Sequence, residues 1–389
     1  MLKRRVKMRN FKKAFVFMIV AVIVLAFSAC GGAGSGNSGS GNSGGSDTGA
    51  ASSGGGGDNS GGSDTGTASS GGGSDNSGTV EQTGAGKTIG VAHFWLGNDW
   101  NLEVQQAYTD YLQARGYTIN VSNAQNSTAQ EKTDLENFIA AGVDGIIITG
   151  GEARAFGDIS LKAQEAGIPI VCIDMILPGA VATVSADNYS GGAQLGMFVA
   201  KEMNGEGKVA MLIDPSWQSV NTRGEMIQYV LKDYPGIQVV SQQDVTEDPI
   251  NNGYQIIKSV LQANPDLKAV TASWGLPSVG AAQAIEEMGL SDQVVIATAD
   301  NDKALLEAMA ADGAPKWVTI GQDCKAMGLK AAVAMDSILS GNTDGIQFVN
   351  YGPTYMTANM PLDQAFFDFE YVDMKNMWSI AFGDSDNPF

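Results

Sequence analysis

Residues 88–122, TIGVAHFWLGNDWNLEVQQAYTDYLQARGYTINVS, hold the first unit of the fold. TIGVAHF (88–94) is a short, nearly continuous apolar run, the pattern of a strand buried on both faces. Asn98 or Asp99 then offers an N-cap, and Val104, Ala107, Tyr108, Tyr111 and Leu112 recur at helical spacing. YTINVS closes the unit as a second strand. The rhythm repeats downstream. A helix carrying Leu135, Phe138 and Ile139 leads to GIIIT (145–149), and a helix ending near Gly167 leads to IPIVCID (168–174). After VATVSADN come helix 190–204, KVAMLID (208–214), helix 217–233, IQVVS (237–241), helix 249–263 and KAVTAS (268–273). Helix 277–288, QVVIATA (293–299), a further helix, KWVTIGQ (316–322) and a helix over 324–340 complete the series. Such alternation predicts an α/β fold with parallel sheets covered on both faces. About 300 residues is long for one core, so two α/β lobes are expected.

Upstream the texture is different. Seven of the 23 basic residues fall within the first 13 positions, followed by the apolar run Ala14–Phe27. That run is too short to span a bilayer comfortably and fits a signal-peptide core. It ends in Ser28-Ala29-Cys30, which resembles the lipobox of bacterial lipoproteins, with Phe27 where a Leu is usual. The resemblance implies a signal peptide over 1–29, cleavage before Cys30 and a diacylglycerol on its thiol; two acyl chains suffice for stable attachment. Residues 30–87 are then a tether, almost wholly Gly, Ser, Asn, Asp, Thr and Ala. GGSDTGAASSGGGGDNS (44–60) is repeated as GGSDTGTASSGGGSDNS (61–77). Without apolar side chains nothing offsets the entropy of ordering it, and a coil of this length spans roughly 40 Å root-mean-square.

Composition removes several functions. The whole chain carries 42 acidic residues and a formal charge of −19, which argues against a nucleic-acid partner. One His and three Cys exclude a His/Cys structural metal site and a disulfide framework. Cys172, in an apolar strand, and Cys324, at a helix start, read as free thiols. There is no P-loop and no G-x-S-x-G, and His93 sits inside an apolar strand, where a core role is expected. Neither an enzyme nor a cofactor is predicted.

Open parallel sheets bind ligands beyond the carboxyl ends of their strands. Asn98, Trp100 and Asn101 follow the first strand, Thr149 the third and Asp174 the fourth. Asp214 and Arg223 flank a helix start, and Trp274, Asp300 and Gln322 follow later strands. Carboxylates accept from hydroxyls, guanidinium and amides donate, and aromatic faces pack on C–H surface, so this set suits a neutral polyhydroxyl ligand. Each has a plainer alternative. Asp99 reads first as a helix cap, Asp214 equally as a turn-shaping residue, and either Trp could be core.

Several stretches together resemble a known family: TIGVAHFWLGNDWNLEVQQAY, GVDGIIITGG, AGIPIVCIDM, VSADNYSGGAQLG, NGEGKVAML, NTRGE, LQANPDLKAV, VGAAQAIEEMG and VTIGQD. In order and spacing, residues 88 to about 360 are similar to the periplasmic-binding-protein type 1 family, close to its ribose-binding and other sugar-binding members. The resemblance implies lobe 1 over about 88–187 and 323–342, and lobe 2 over about 188–322 and 343–362, joined by three crossovers. Residues 363–389 are left as a C-terminal extension of unknown role. It also implies a monomeric, lipid-anchored, extracytoplasmic solute-binding protein that closes on a monosaccharide or polyol. The partner would be an ABC transporter permease with its ATPase, the alternative a sensor kinase or chemoreceptor. Repressors of the same fold need a basic helix-turn-helix in front, where this chain has an acidic tether. By position, Asn98, Asp174, Arg223, Asp300 and Gln322 keep the residue types of ribose binders. Trp100 takes a stacking place and Asn101 stands where a second aromatic is usual. Met175, Trp274, Thr149 and Asp248 stand where Arg, Asn, Asn and Phe are expected, which points to a sugar or polyol other than ribose.

Overall fold

A computed structural model describes residues 80–363 and 368–389; the signal segment, Cys30 and most of the tether lie outside them. The chain begins with β1 (Thr88–His93), α1 (Asp99–Ala114), β2 (Thr118–Asn123), α2 (Thr128–Ala141), β3 (Gly145–Thr149), α3 (Ala153–Glu165), β4 (Ile170–Ile173) and β5 (Ala182–Ser185). It crosses over into α4 (Asn188–Glu202), β6 (Glu206–Ile213), α5 (Gln218–Leu231), β7 (Gly236–Asp244), α6 (Pro249–Ala263), β8 (Leu267–Ala272), α7 (Gly275–Glu287), β9 (Val295–Ala299), α8 (Lys303–Ala310) and β10 (Trp317–Gln322). A return crossover leads to α9 (Cys324–Leu339) and β11 (Val349–Tyr351), and a third to β12 (Thr354–Ala358), β13 (Glu370–Tyr371) and α10 (Met374–Phe382). The result is two sheets, ordered β11-β5-β4-β3-β1-β2 and β13-β12-β10-β9-β8-β6-β7. All pairings are parallel except β10 with β12.

The central strands explain why these runs become sheet. Every residue of β3 and β4 is buried, and each Ile or Val so enclosed contributes about 1.5–3 kcal/mol. In the first lobe, α1 lays Val104, Tyr108 and Leu112 on one side of the sheet while α9 adds Met327, Ala331 and Met335. In the second, Ile257, Leu261, Ile285 and Trp317 share a core with Met377 and Trp378 of α10.

One expected boundary differs in the structure: residues 343–351 do not join lobe 2, because β11 pairs in parallel with β5, Val349 opposite Thr183. The first lobe therefore keeps the chain to Tyr351, and the third crossover is Gly352–Pro353. A three-residue strand without an apolar run leaves no periodic signal. The extension from 363 also has a structural place. β13 adds to the second sheet beside β12, and Trp378 is clasped by the edges of Phe382 and Phe389 at 5.0 and 5.8 Å.

The first and second crossovers pass directly into helices. Asp187 caps α4 through Ser190 N and Asp323 caps α9 through Ala326 N. The three crossovers are stitched together where they run side by side: Asp323 N donates to Pro353 O (3.0 Å) and Gly352 N to Ser185 O (2.9 Å). Ahead of β1, Thr83 Oγ1 donates to Asp336 Oδ1 (2.6 Å) and Lys87 Nζ to Leu339 O (2.8 Å). The described residues just ahead of Thr88 are thus bonded to α9 of the first lobe.

Candidate functional site

The carboxyl ends of both sheets face one cavity, the usual place for a ligand in open parallel sheets. The first lobe lines it with Trp95, Asn98, Trp100 and Asn101 after β1, Asn126 after β2, and Asp174 after β4. The second lobe adds Asp214, Trp217, Ser219, Val220 and Arg223 from the β6–α5 turn and helix. Thr246 follows β7, Trp274 follows β8 and Asp300 follows β9.

The centre is ionic. Asp174 and Asp300 occupy matching places in the two lobes, each directly after its strand and each left-handed, at φ 57° and 78°. Asp tolerates that conformation better than most side chains. Asp300 Oδ1 accepts from Arg223 Nη1 (2.9 Å) and Gln322 Nε2 (3.0 Å), and Oδ2 accepts from Gly275 N (3.1 Å). Arg223 Nη2 lies 4.0 Å from Asp174 Oδ2 on the opposite lobe. Asp174 Oδ1 accepts from Ser185 Oγ (2.8 Å), Ala186 N (3.2 Å) and Asn188 Nδ2 (3.1 Å). One oxygen of Asp174 therefore holds the first crossover while the other faces the arginine.

The lobes meet across the cavity. Phe94 packs edge-on against Trp217 with centroids 5.3 Å apart, and Trp95 against Trp274 at 6.3 Å. Gly150 permits the first contact, because its φ is 77° and a Cβ there would lie 2.0 Å from the Trp217 ring. Polar contacts reinforce the seam: Trp100 Nε1 donates to Gln322 Oε1 (3.1 Å), Gln218 N to Gly151 O (3.1 Å) and Lys303 N to Asp99 Oδ2 (2.9 Å).

Three polar atoms of cavity residues are buried without a hydrogen-bond partner, Asn101 Oδ1, Ser219 Oγ and Arg223 Nε. Leaving such groups unpaired costs about 1–3 kcal/mol each. Asp214 shapes its turn by accepting from Ser216 N (2.9 Å) and Ser216 Oγ through Oδ1. Burial pushes its carboxyl above the ordinary range.

Residues 89–343 match the family model for the periplasmic binding protein domain. The chain belongs to that family. Among curated relatives of this periplasmic binding protein, the ribose import binding protein of Bacillus subtilis (strain 168) is 30% identical over 65% of this chain and 82% of its own length. The ribose import binding protein of Escherichia coli (strain K12) is 27% identical over 66% and 86%. Among solved structures, a solute-binding protein from Bacillus halodurans C-125 with bound myo-inositol is 26% identical, with a TM-score of 0.62 over 71% of this chain and 94% of that one. The family consists of transport binding proteins and not of enzymes.

Of the residues read from the sequence, Asn98, Trp100, Asn101, Asp174, Arg223, Trp274 and Asp300 come together on the cavity. Gln322 stands behind it, accepting from Trp100 and donating to Asp300. Three of the expected residues are not on the cavity wall. Thr149 is fully buried at the end of β3. Met175, next to the left-handed Asp174, is buried in the first-lobe core. Asp248 is exposed at the start of α6, where its Oδ2 accepts from Asn251 Nδ2 (3.0 Å). Thr246, two positions earlier, reaches the cavity instead. His93 is wholly buried, with Nε2 2.6 Å from Tyr108 Oη, and desolvation lowers its pKa to about 4. Cys172 and Cys324 are free and buried. Among the described residues no cluster of His, Cys, Asp and Glu could hold a metal ion, and no helix is long and apolar enough to cross a membrane. Trp95, Asn126, Trp217, Ser219, Val220 and Thr246 were not anticipated. Trp217 lies three residues past the recognised strand-end acid Asp214, which is the signal that could have exposed it.

Proposed function

We propose that this chain is an extracytoplasmic receptor that captures a monosaccharide or polyol by closing its lobes and delivers it to an ABC transporter permease. The observation that carries the reading is the set of three buried, unpartnered atoms on cavity residues, of which Asn101 Oδ1 can only accept. Arg223 Nε can only donate, Ser219 Oγ can donate or accept, and Asp174 Oδ2 beside them accepts. Hydroxyl groups, each donor and acceptor at once, satisfy such a mixture, while the indoles of Trp95, Trp100, Trp217 and Trp274 offer faces for ring C–H surface. The ligands for which the relatives are named, ribose and myo-inositol, are of this class. The same contacts explain closure. A ligand held by Asn98, Trp100 and Asp174 on one side and by Arg223, Trp274 and Asp300 on the other is complete only when the lobes meet, and that differential affinity shifts the population. Cys30 supplies the membrane anchor, and the Gly/Ser-rich tether lets the receptor reach the permease.

A thermal-shift screen of monosaccharides and polyols tests this. A ligand at about 100 Kd stabilises the folded state by about 2.7 kcal/mol, a clear rise in melting temperature. If no sugar or polyol raises it, the reading is wrong. For the anchor, Cys30→Ala should leave an unprocessed precursor or release the protein from membranes; a variant still processed and membrane-bound contradicts that part.

A further inference from the structure

The ligand class can be narrowed from the charges and faces around the cavity, a step that rests on the sugar-or-polyol reading above. The charged side chains on its wall are Asp174, Asp214 and Asp300 against Arg223 alone. That one cation is committed: it is bonded to Asp300 at 2.9 Å and lies 4.0 Å from Asp174. Asp214 has no cation. Its Oδ1 is held by neutral donors, the N–H and O–H of Ser216, and its side chain is only 3% exposed. Burial raises its pKa, the response of a carboxylate without a positive partner. Three residues further along the same turn stands Trp217, and Trp95, Trp100 and Trp274 line the remaining wall.

Closure on a neutral ligand takes water away from Asp214 and brings no positive charge to replace it, which is costly for a buried carboxylate. An ammonium group supplies that charge. Its hydrogen bond to a carboxylate is about twice as strong as a neutral one, and indole faces attract cations through their quadrupole. We propose that the cleft selects an amine-bearing sugar or polyol. Its ammonium is recognised by Asp214 and the neighbouring Trp217, and its hydroxyls by Arg223, Ser219 and Asp174. Asp214 is then a specificity residue in addition to a turn-former.

The test uses the chain without its signal segment and with Cys30→Ala, titrated by calorimetry at pH 7 with matched pairs in which one hydroxyl is exchanged for an amine. Suitable pairs are D-glucose with D-glucosamine, D-galactose with D-galactosamine, and myo-inositol with an amino-deoxy-inositol. In at least one pair the amine should bind about tenfold tighter or more. Asp214→Asn, which retains an oxygen for Ser216, should reduce that preference to about threefold or less. On the wild-type protein the preference should also fade as pH rises through the amine's own pKa, a readout independent of how the variant folds. If the neutral member binds as well or better in every pair that binds, the amine assignment is overturned and the sugar reading stands. If no member of any pair binds and the neutral panel is also silent, both are overturned.

Discussion

Replacing Arg223 by Met probes the link between the ionic centre and closure. The guanidinium serves Asp300 within the second lobe at 2.9 Å and reaches Asp174 of the first lobe at 4.0 Å, with all three side chains 7% exposed or less. Removing one partner of a buried pair costs about 3–5 kcal/mol. The low end applies here, because Asp300 keeps Gln322 Nε2 and Gly275 N and Asp174 keeps three donors. With the lobes apart the cleft is hydrated, and the remaining Arg223–Asp300 pair is worth no more than about 1 kcal/mol. The difference, about 2 kcal/mol, falls on the closed state alone. Loss of the Nε donor to the ligand adds about 1 kcal/mol. The sum of about 3 kcal/mol corresponds to a Kd raised on the order of a hundredfold. Calorimetric titration with the tightest ligand from the screen measures this, and a melting curve without ligand should move by less than about 3 °C. A Kd within threefold of wild type, or a large loss of ligand-free stability with affinity unchanged, would refute the reasoning and make Arg223 a structural residue.

Other consequences follow from groups near the seam. Asp302 is buried with neither carboxylate oxygen partnered, and burial beside Asp300 and Asp99 pushes its pKa to about 8. Its neutral form therefore contributes stability that is complete below about pH 4 and is lost as pH rises through about 8. Asp302→Asn should melt higher than wild type by a margin that widens between pH 5 and 8.5; a constant margin contradicts this. On α10, Ile380 lines a groove with Glu103, Asp110 and Asp323 of the first lobe, where Lys325 is already paired with Glu103 at 3.4 Å. Ile380→Asp should weaken ligand affinity at least about threefold through like-charge repulsion on closure, and an unchanged Kd would show that the extension does not bear on the seam. Burial raises the Cys172 thiol to about 12 and raises Cys324 as well. Both should resist an aromatic disulfide reagent at pH 8 until the protein is unfolded, and rapid labelling of the native fragment 80–389 would disagree.

The alternation of lobes was legible because each buried strand is an apolar run and each helix carries a 3.6-residue stripe. The cavity was legible at positions one or two steps beyond those runs, as for Asp174, Trp274 and Asp300. Reading failed where a side chain's direction depends on backbone conformation. Met175 is adjacent to a cavity residue, the left-handed Asp174, yet is buried in the core. Asp248 stands two residues from Thr246, the residue that faces the ligand space. β11 and β13, of three and two residues, are set by neighbours distant in sequence and carry no pattern of their own. Trp217 was hidden because its place depends on the opposite lobe, on Phe94 and Gly150.

Small-angle scattering of residues 80–389 with and without saturating ligand tests most directly the claim that one ligand is enclosed between two closing lobes. The contacts Phe94–Trp217, Trp95–Trp274 and Trp100–Gln322 exist only while the lobes meet, so ligand should lower the radius of gyration, with a parallel change in tryptophan fluorescence. Tight binding with an unchanged radius of gyration, or chemical turnover of the ligand, would contradict it.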